Sequence, residues 1–276
     1  MIAVNKAIEI DSVETSHGPD FSICTLVTDQ RQYAEMLASF EKAGFSGDRC
    51  EFIYIDNSNG NKYDAYDGLN QFLQLAKGKY IILCHQDLLL HDDGIGRLDQ
   101  IIAEMDALDE HWAVLGNAGG IVPGKRAIRI TDPFYGENAR VGSFPARVVG
   151  LDENFMLVKR AANLALSRDI GGFHLYGTDL CVIADVLGYS AYAVDFHLHH
   201  VCGEVLKNVG RKAVETPMSF NSIRERFIKK YQRAFRSRWL QTTCTIVHIS
   251  GSRVGNSFGN RKLMCSIMKR VHRLFD

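Results

Sequence analysis

The chain has 276 residues, 46% hydrophobic and 23% charged, a balance that supports a buried core and excludes a disordered or fibrous chain. Formal net charge is zero, but residues 1–204 carry 16 Lys+Arg against 29 Asp+Glu and residues 205–276 carry 16 against 3, so an acidic body precedes a basic tail. Cys24, Cys50, Cys84, Cys181, Cys202, Cys244 and Cys265 include no C-x-x-C pair, which argues against a zinc ribbon or disulfide framework and for reduced thiols.

In chain order, residues 21–27 (FSICTLV) are an apolar run of strand length. Tyr33, Met36, Leu37 and Phe40 then recur at helical spacing, and Gly44 ends that helix near Ala43. Residues 51–55 (EFIYI) are a second buried strand, closed by the turn-rich run Asp56 to Asn61. A helix over 65–76 stops at Gly78, and residues 79–84 (KYIILC) form a third strand that runs into His85-Gln86-Asp87. A helix over 95–108 and a strand from Trp112 to Leu115 follow. Residues 118–148, rich in Gly and Pro, read as loops and short strands near a substrate. Residues 151–160 mix a short strand with a basic end, 180–187 form a helix, and 189–196 form a last strand that leads to His197, His199 and His200. Alternating strands and helices predict an α/β fold with a mostly parallel sheet covered on both faces.

Ligands of such sheets bind at the carboxyl ends of strands, where Asp56 and Asp87 both fall. Asp56 has two readings, a hydrogen-bond acceptor for a nucleotide base or a turn-capping carboxylate. Asp87 reads as a ligand of Mg²⁺ or Mn²⁺ or as a loop carboxylate. Three histidines within four residues suit a metal, and strand alternation places His197 and His199 on one face with His200 on the other. Asp179 reads as a general base, or as an N-cap together with Thr178.

These pieces resemble the family 2 glycosyltransferases of GT-A fold over roughly residues 20–204. Glu51 to Ser58 is similar to the family's second strand, with Asp56 at the base-contacting position. Ala76 to Asp87 resembles the strand leading to the metal-binding D-x-D, with His85 in place of the first Asp. Leu151 to Arg160 matches the donor-sugar and acceptor segment, Gly171 to Cys181 the segment bearing the catalytic base, and Gly188 to His200 the closing strand with its metal-ligand His. The base segment reads Gly177-Thr178-Asp179 where many members have Glu-Asp.

The resemblance implies an inverting, metal-dependent transfer from a UDP- or dTDP-linked sugar to a glycan or lipid-linked acceptor in bacterial surface polysaccharide synthesis. Asp179 would be the base; Asp87 with His199 or His200 would hold Mn²⁺ or Mg²⁺. Thr25, Val27, Asp56, His85 and Gln86 would contact the nucleotide, and Asn154, Lys159, Tyr176 and Gly177 the substrates. Gln232 and Arg238-Trp239 lack the spacing of the processive synthases' Q-x-x-R-W.

The expected organisation is a lead-in over 1–20, a transferase domain over 21–204 and a basic helical extension over 205–276. The tail holds a basic amphipathic helix over 222–240, suited to an anionic membrane surface or to packing on the body or a second subunit. The acidic body argues against nucleic acid. With no signal pattern and no run of about 18 apolar residues, the expected location is cytoplasmic, at most peripheral on the inner face of the membrane. Rival functions are a nucleotidyltransferase, disfavoured because Thr25 to Arg31 holds no glycine, and a non-catalytic nucleotide-sugar binder or scaffold.

Overall fold

The structure, a computed structural model, describes residues 18–201, 216–241, 246–264 and 266–267. The chain divides into two units, one of Met1–Arg168 with Phe173–Lys212 and one of Asp169–Gly172 with Ala213–Asp276. The expected boundary at 204/205 and most of the lead-in lie outside the described residues.

The first unit opens with β1 (Phe21–Val27), α1 (Gln30–Lys42), β2 (Cys50–Asp56), α2 (Ala65–Leu75) and β3 (Tyr80–Cys84). Every residue of β3 is buried. That is why its sequence is an unbroken apolar run: a strand covered on both faces has no side chain to give to water. Asp29 sets the start of α1, its side chain accepting from the backbone N–H groups of Arg31 and Gln32. Tyr33, Met36 and Phe40 of α1 join Phe21, Ile23 and Val27 in one buried cluster. Leu26, on the other face of β1, lies so near α2 that a Cβ on Gly68 would meet its Cδ2 at 2.6 Å. Helices therefore cover both faces of the sheet.

The short β4 (Leu88–Leu89), α3 (Ile95–Leu108) and β5 (Trp112–Gly116) come next. Residues 118–148, expected to form loops and short strands, contain β6 (Ala118–Val122), an eight-residue β7 (Lys125–Asp132), β8 (Gly136–Val141) and β9 (Ala146–Arg147). The glycines that hide the periodicity allow close strand contact: a Cβ on Gly119 would sit 2.8 Å from the Gly150 carbonyl. β10 (Gly150–Leu151), β11 (Phe155–Lys159), α4 (Tyr176–Val186), β12 (Ser190–Ala193) and β13 (His199–His200) complete the unit.

The main sheet has the order β2-β1-β3-β11-β5-β12-β9. β1 runs parallel to β2 and β3, whereas β11 runs antiparallel to β3 and β5. A second sheet has the order β10-β6-β7-β13-β4, with β8 on β7. The α/β architecture expected from the alternation of strands and helices is the one observed, but the main sheet is mixed: β11 and β9 run antiparallel to their neighbours, and the other strands share one direction.

In the second unit the basic helix spans Phe220–Ala234, shorter than the expected 222–240 at its C-terminal end, because Arg238–Gln241 instead pairs with Ile246–Ile249 in a hairpin. Arg226 of this helix donates to the carbonyls of Ile170 and Gly171, and Lys230 pairs with Asp169. Among the described residues no helix is long and apolar enough to cross a membrane.

Candidate functional site

Because β1, β2 and β3 are parallel and in register, the residues at and just past their C-terminal ends, Val27, Asp56 and His85, lie along one edge of the sheet. Antiparallel pairing of β4 with β13 sets His200 opposite Leu88. That register brings His200 Nε2 to 3.3 Å from Asp87 Oδ1, and the Asp87 carbonyl accepts the Val201 N–H at 3.0 Å. The His85 ring lies 5.5 Å from that of His200. The ligand atoms of His85, Asp87 and His200 all fall within 4.8 Å of one another.

The electrostatics of this trio are coupled. Burial works to raise the Asp87 carboxyl, but the His200 hydrogen bond and the His200 and His85 charges outweigh it and hold it below the ordinary range. Burial likewise opposes charge on His200, yet Asp87 raises that imidazole above its usual value. Burial, then His200, push His85 down, toward the neutral form that a metal ligand requires. Two imidazoles and a carboxylate form a donor set that Mn²⁺ or Zn²⁺ accepts. His85 Nε2 is 2.8 Å from the Tyr176 hydroxyl, a contact that fixes the ring.

A cavity of about 750 Å³ adjoins His200. Its wall includes Arg126, Asp132, Asp152, Asn154 and Thr178. The volume is within the range of small-molecule sites. Asn154 Oδ1 is buried there with no hydrogen-bond partner. An unmade bond of that kind costs roughly 1–3 kcal/mol, which a polar ligand group in the cavity can recover.

The residues singled out in the sequence fall in different places. Thr25 and Val27 are 1% and 0% exposed, so their side chains belong to the core of β1. Gln86 is consumed structurally: its Oε1 accepts the Thr28 and Asp29 N–H groups at 2.7 and 3.0 Å, and its Nε2 donates to Thr28 Oγ1 and Gln32 Oε1. The same bonds occupy the backbone donors that a phosphate-cradling loop after β1 would need, which disfavours a nucleotidyltransferase. Asp56 is exposed at its strand end and accepts the Ser58 N–H and hydroxyl, bonds that hold its carboxyl below the usual range.

Lys159 lies at the far end of β11, paired with Tyr80 at the start of β3, so it stands away from the Asp87 edge. Its Nζ is 3.0 Å from Asp106 Oδ1 and 3.9 Å from the Trp112 ring centroid. Tyr176 is buried against Tyr66 and bonds His85, as a support and not an exposed contact. Gly177 serves close packing, since a Cβ there would meet the Leu151 carbonyl oxygen at 2.4 Å. Asp179 is 0% exposed, and its two oxygens accept the Ser167 N–H at 2.8 Å and hydroxyl at 2.7 Å. That carboxylate ties α4 to the segment before it and has no open face toward an acceptor. His199 turns to the other side of β13, with its Nε2 3.0 Å from Asp92 Oδ2.

Sequence reasoning missed Arg126, Asp132, Asp152 and Thr178 as cavity residues, and Glu153, which is pushed up to about 8 by burial and then by Asp152. Asp152 and Glu153 lie within the 151–160 segment, and two adjacent acids before a buried strand are the available signal.

Fold and site together define an α/β protein with a cation-type ligand trio at the edge of its parallel strands. The chain is 38% identical over 239 residues to "ATP synthase subunits region ORF 6" of Fuscovulum blasticum, covering 84% of this chain and 91% of that protein, and it belongs to that protein's family. No family model matches. Similar solved structures include the mannosyltransferase PcManGT from Pyrobaculum calidifontis in complex with GDP-Man and Mn²⁺, at 10% identity and TM-score 0.47 over 76% of this chain and 69% of that chain. S. aureus TarS 1-349 in complex with UDP-GlcNAc is similar at 13% identity and TM-score 0.43, over 73% of this chain and 61% of that chain. A197 from STIV is similar at 13% identity and TM-score 0.40, over 65% of this chain and 84% of that chain. At this level of identity and overlap the likenesses assign no activity.

Proposed function

We propose that this chain is a metal-dependent glycosyltransferase that moves a sugar from a nucleoside-diphosphate sugar to an acceptor hydroxyl. The observation that carries this reading is the His85–Asp87–His200 cluster at the C-terminal edge of the parallel strands, beside a cavity with an unpaired Asn154 oxygen on its wall. Asp56 lies on the same edge two strands away, roughly 10 Å by strand spacing. That span suits a base at one end and a diphosphate at the other.

Asp87 and His200 would hold a divalent cation, with His85 completing or orienting the set. Such an ion supplies charge neutralisation for the departing diphosphate. Asn154 offers its unpaired Oδ1 as acceptor to a hydroxyl of the donor sugar. Asp152, on the cavity wall, takes the proton of the acceptor hydroxyl as that oxygen bonds to the anomeric carbon. The bond from this carbon to the diphosphate oxygen breaks on the opposite face, which inverts the centre. The resemblance gives the base role to Asp179; we move it to Asp152 because Asp179 is fully buried and bonded to Ser167. A positioned base contributes roughly 10²–10⁴-fold.

The donor we assign is UDP- or dTDP-linked, and the acceptor a glycan or a lipid-linked glycan. The helix Phe220–Ala234 supports attraction to an anionic membrane, since Phe220 and Ile228 are exposed on a helix that carries five Lys and Arg. Thermal shift with UDP, dTDP and GDP, each with and without Mn²⁺, tests the reading on wild type and Asp87→Asn. One base is expected to stabilise the wild type only with Mn²⁺, by about 2.7 kcal/mol at a hundredfold excess over Kd. The variant should lose the response. No response to any nucleotide, or an unchanged response in the variant, would overturn the proposal.

A further inference from the structure

Beyond the transferase site, we infer that Asp92, His197 and His199 form a second, separate metal site for a transition-metal ion of the Zn²⁺ class. Their ligand atoms lie within 4.8 Å of one another. Asp92 Oδ2 is 2.8 Å from His197 Nδ1 and 3.0 Å from His199 Nε2. Zn²⁺ bonds of about 2.0–2.1 Å in a tetrahedron put neighbouring ligand atoms roughly 3.3 Å apart. The two Asp92 distances therefore need only spread by a few tenths of an ångström to receive an ion, and the two histidine nitrogens lie within 4.8 Å of each other.

The histidines are held as ligands are held. His197 is 3% exposed, and its outer nitrogen, Nε2, lies 2.9 Å from Thr131 Oγ1. A metal-ligating imidazole is ordinarily oriented by a bond to its second nitrogen in this way. The His197 backbone N–H donates to Asp93 Oδ2 at 2.6 Å, which pins the loop bearing Asp92 to the segment bearing His197. The His91 ring meets the His199 ring edge-on, with centroids 4.7 Å apart. Two imidazoles and a carboxylate, the donor types of the first site as well, suit Zn²⁺ over Mg²⁺; the first site differs in adjoining the cavity through His200.

Alternation along β13 separates the two sites: His199 faces Asp92 and His200 faces Asp87. An ion held by Asp92, His197 and His199 would clamp β13 to the loop between β4 and α3, and so fix the strand that carries His200. Its role is positioning and not chemistry.

The test is zinc stoichiometry in the Asp87→Asn chain, where the first site is disabled, after stripping with chelator and dialysis against Zn²⁺. One Zn²⁺ per chain is expected, with a rise in Tm on Zn²⁺ addition and a four-coordinate ligand-field spectrum when Co²⁺ replaces it. Adding His199→Ala should abolish all three signals, with far-UV circular dichroism unchanged. Asp92→Asn in the same background reports separately, should the histidine variant fail to fold. Absence of bound Zn²⁺ in Asp87→Asn, or its retention after loss of both Asp92 and His199, would overturn the inference. Neither result depends on nucleotide-sugar turnover.

Discussion

The two flanks of the His85–Asp87–His200 edge are built differently. On one side, β1, β2 and β3 run parallel; the side chains of β1 and β3 are committed to the core, whereas β2, read from its sequence as buried, is an edge strand and only half-buried. On the other, β6, β7 and β8 form an antiparallel meander, of which β6 and β7 wall the cavity. The parallel flank supplies fixed ligands at strand ends and spends Thr25, Val27 and Gln86 on packing and hydrogen bonds. The meander and the neighbouring 150–154 segment supply the groups that can face a substrate. Rigid elements position; the irregular flank offers contact surface.

The sharpest test of that division compares two carboxylates. Asp152→Asn is expected to lower kcat by roughly 10²–10⁴-fold with little change in Tm, as for loss of a general base. Asp179→Asn should act chiefly on stability, costing roughly 1–3 kcal/mol by denaturant unfolding, because it disrupts the buried Ser167 bonds. A large kcat loss with unchanged stability in Asp179→Asn would restore it as the base.

Next in size is the seam between α4 and β10. Gly177→Ala puts a Cβ against the Leu151 carbonyl and should cost about 1–3 kcal/mol, read as a lower midpoint in urea.

Glu153 gives a pH signature. Its carboxyl stays protonated in the folded chain up to about 8, against 4.5 unfolded, first through burial and then through Asp152. Between those values the unfolded chain releases a proton that the folded chain keeps, so stability falls as pH rises. Glu153→Gln should flatten that fall, matching wild type below 4.5 and exceeding it in Tm at 8.

The smallest effect belongs to Lys159. Lys159→Ala should leave turnover unchanged and cost at most about 1 kcal/mol, through the lost Asp106 pair and Trp112 contact. A raised KM for the donor would show that the far end of β11 reaches the substrate after all.

Much of this was legible in the residues. The limits of β1 follow from one apolar run, and β2 and β3 differ by a residue or two from their sequence signals. The helix beginning at Gln30 was read three residues late because Asp29 caps it ahead of the first apolar position. Short strands are expected over 118–148, but glycine at 119, 120, 124, 136 and 142 breaks the period-two pattern and hides their limits. The separate roles of His199 and His200 were half visible: alternation divided them, but not which carboxylate each would meet.

The order of strands and helices, the strand-end placement of Asp56 and Asp87 and the acidic-to-basic asymmetry are local properties, because burial on both faces and helical periodicity are written in neighbouring residues. Which groups share a site was decided by pairings between residues far apart. β4 against β13 brings Asp87 to His200, and the close seat of α4 on β10 leaves Asp152 on the cavity and Asp179 inside. Register and close packing act across a hundred residues, and no window of sequence contains them.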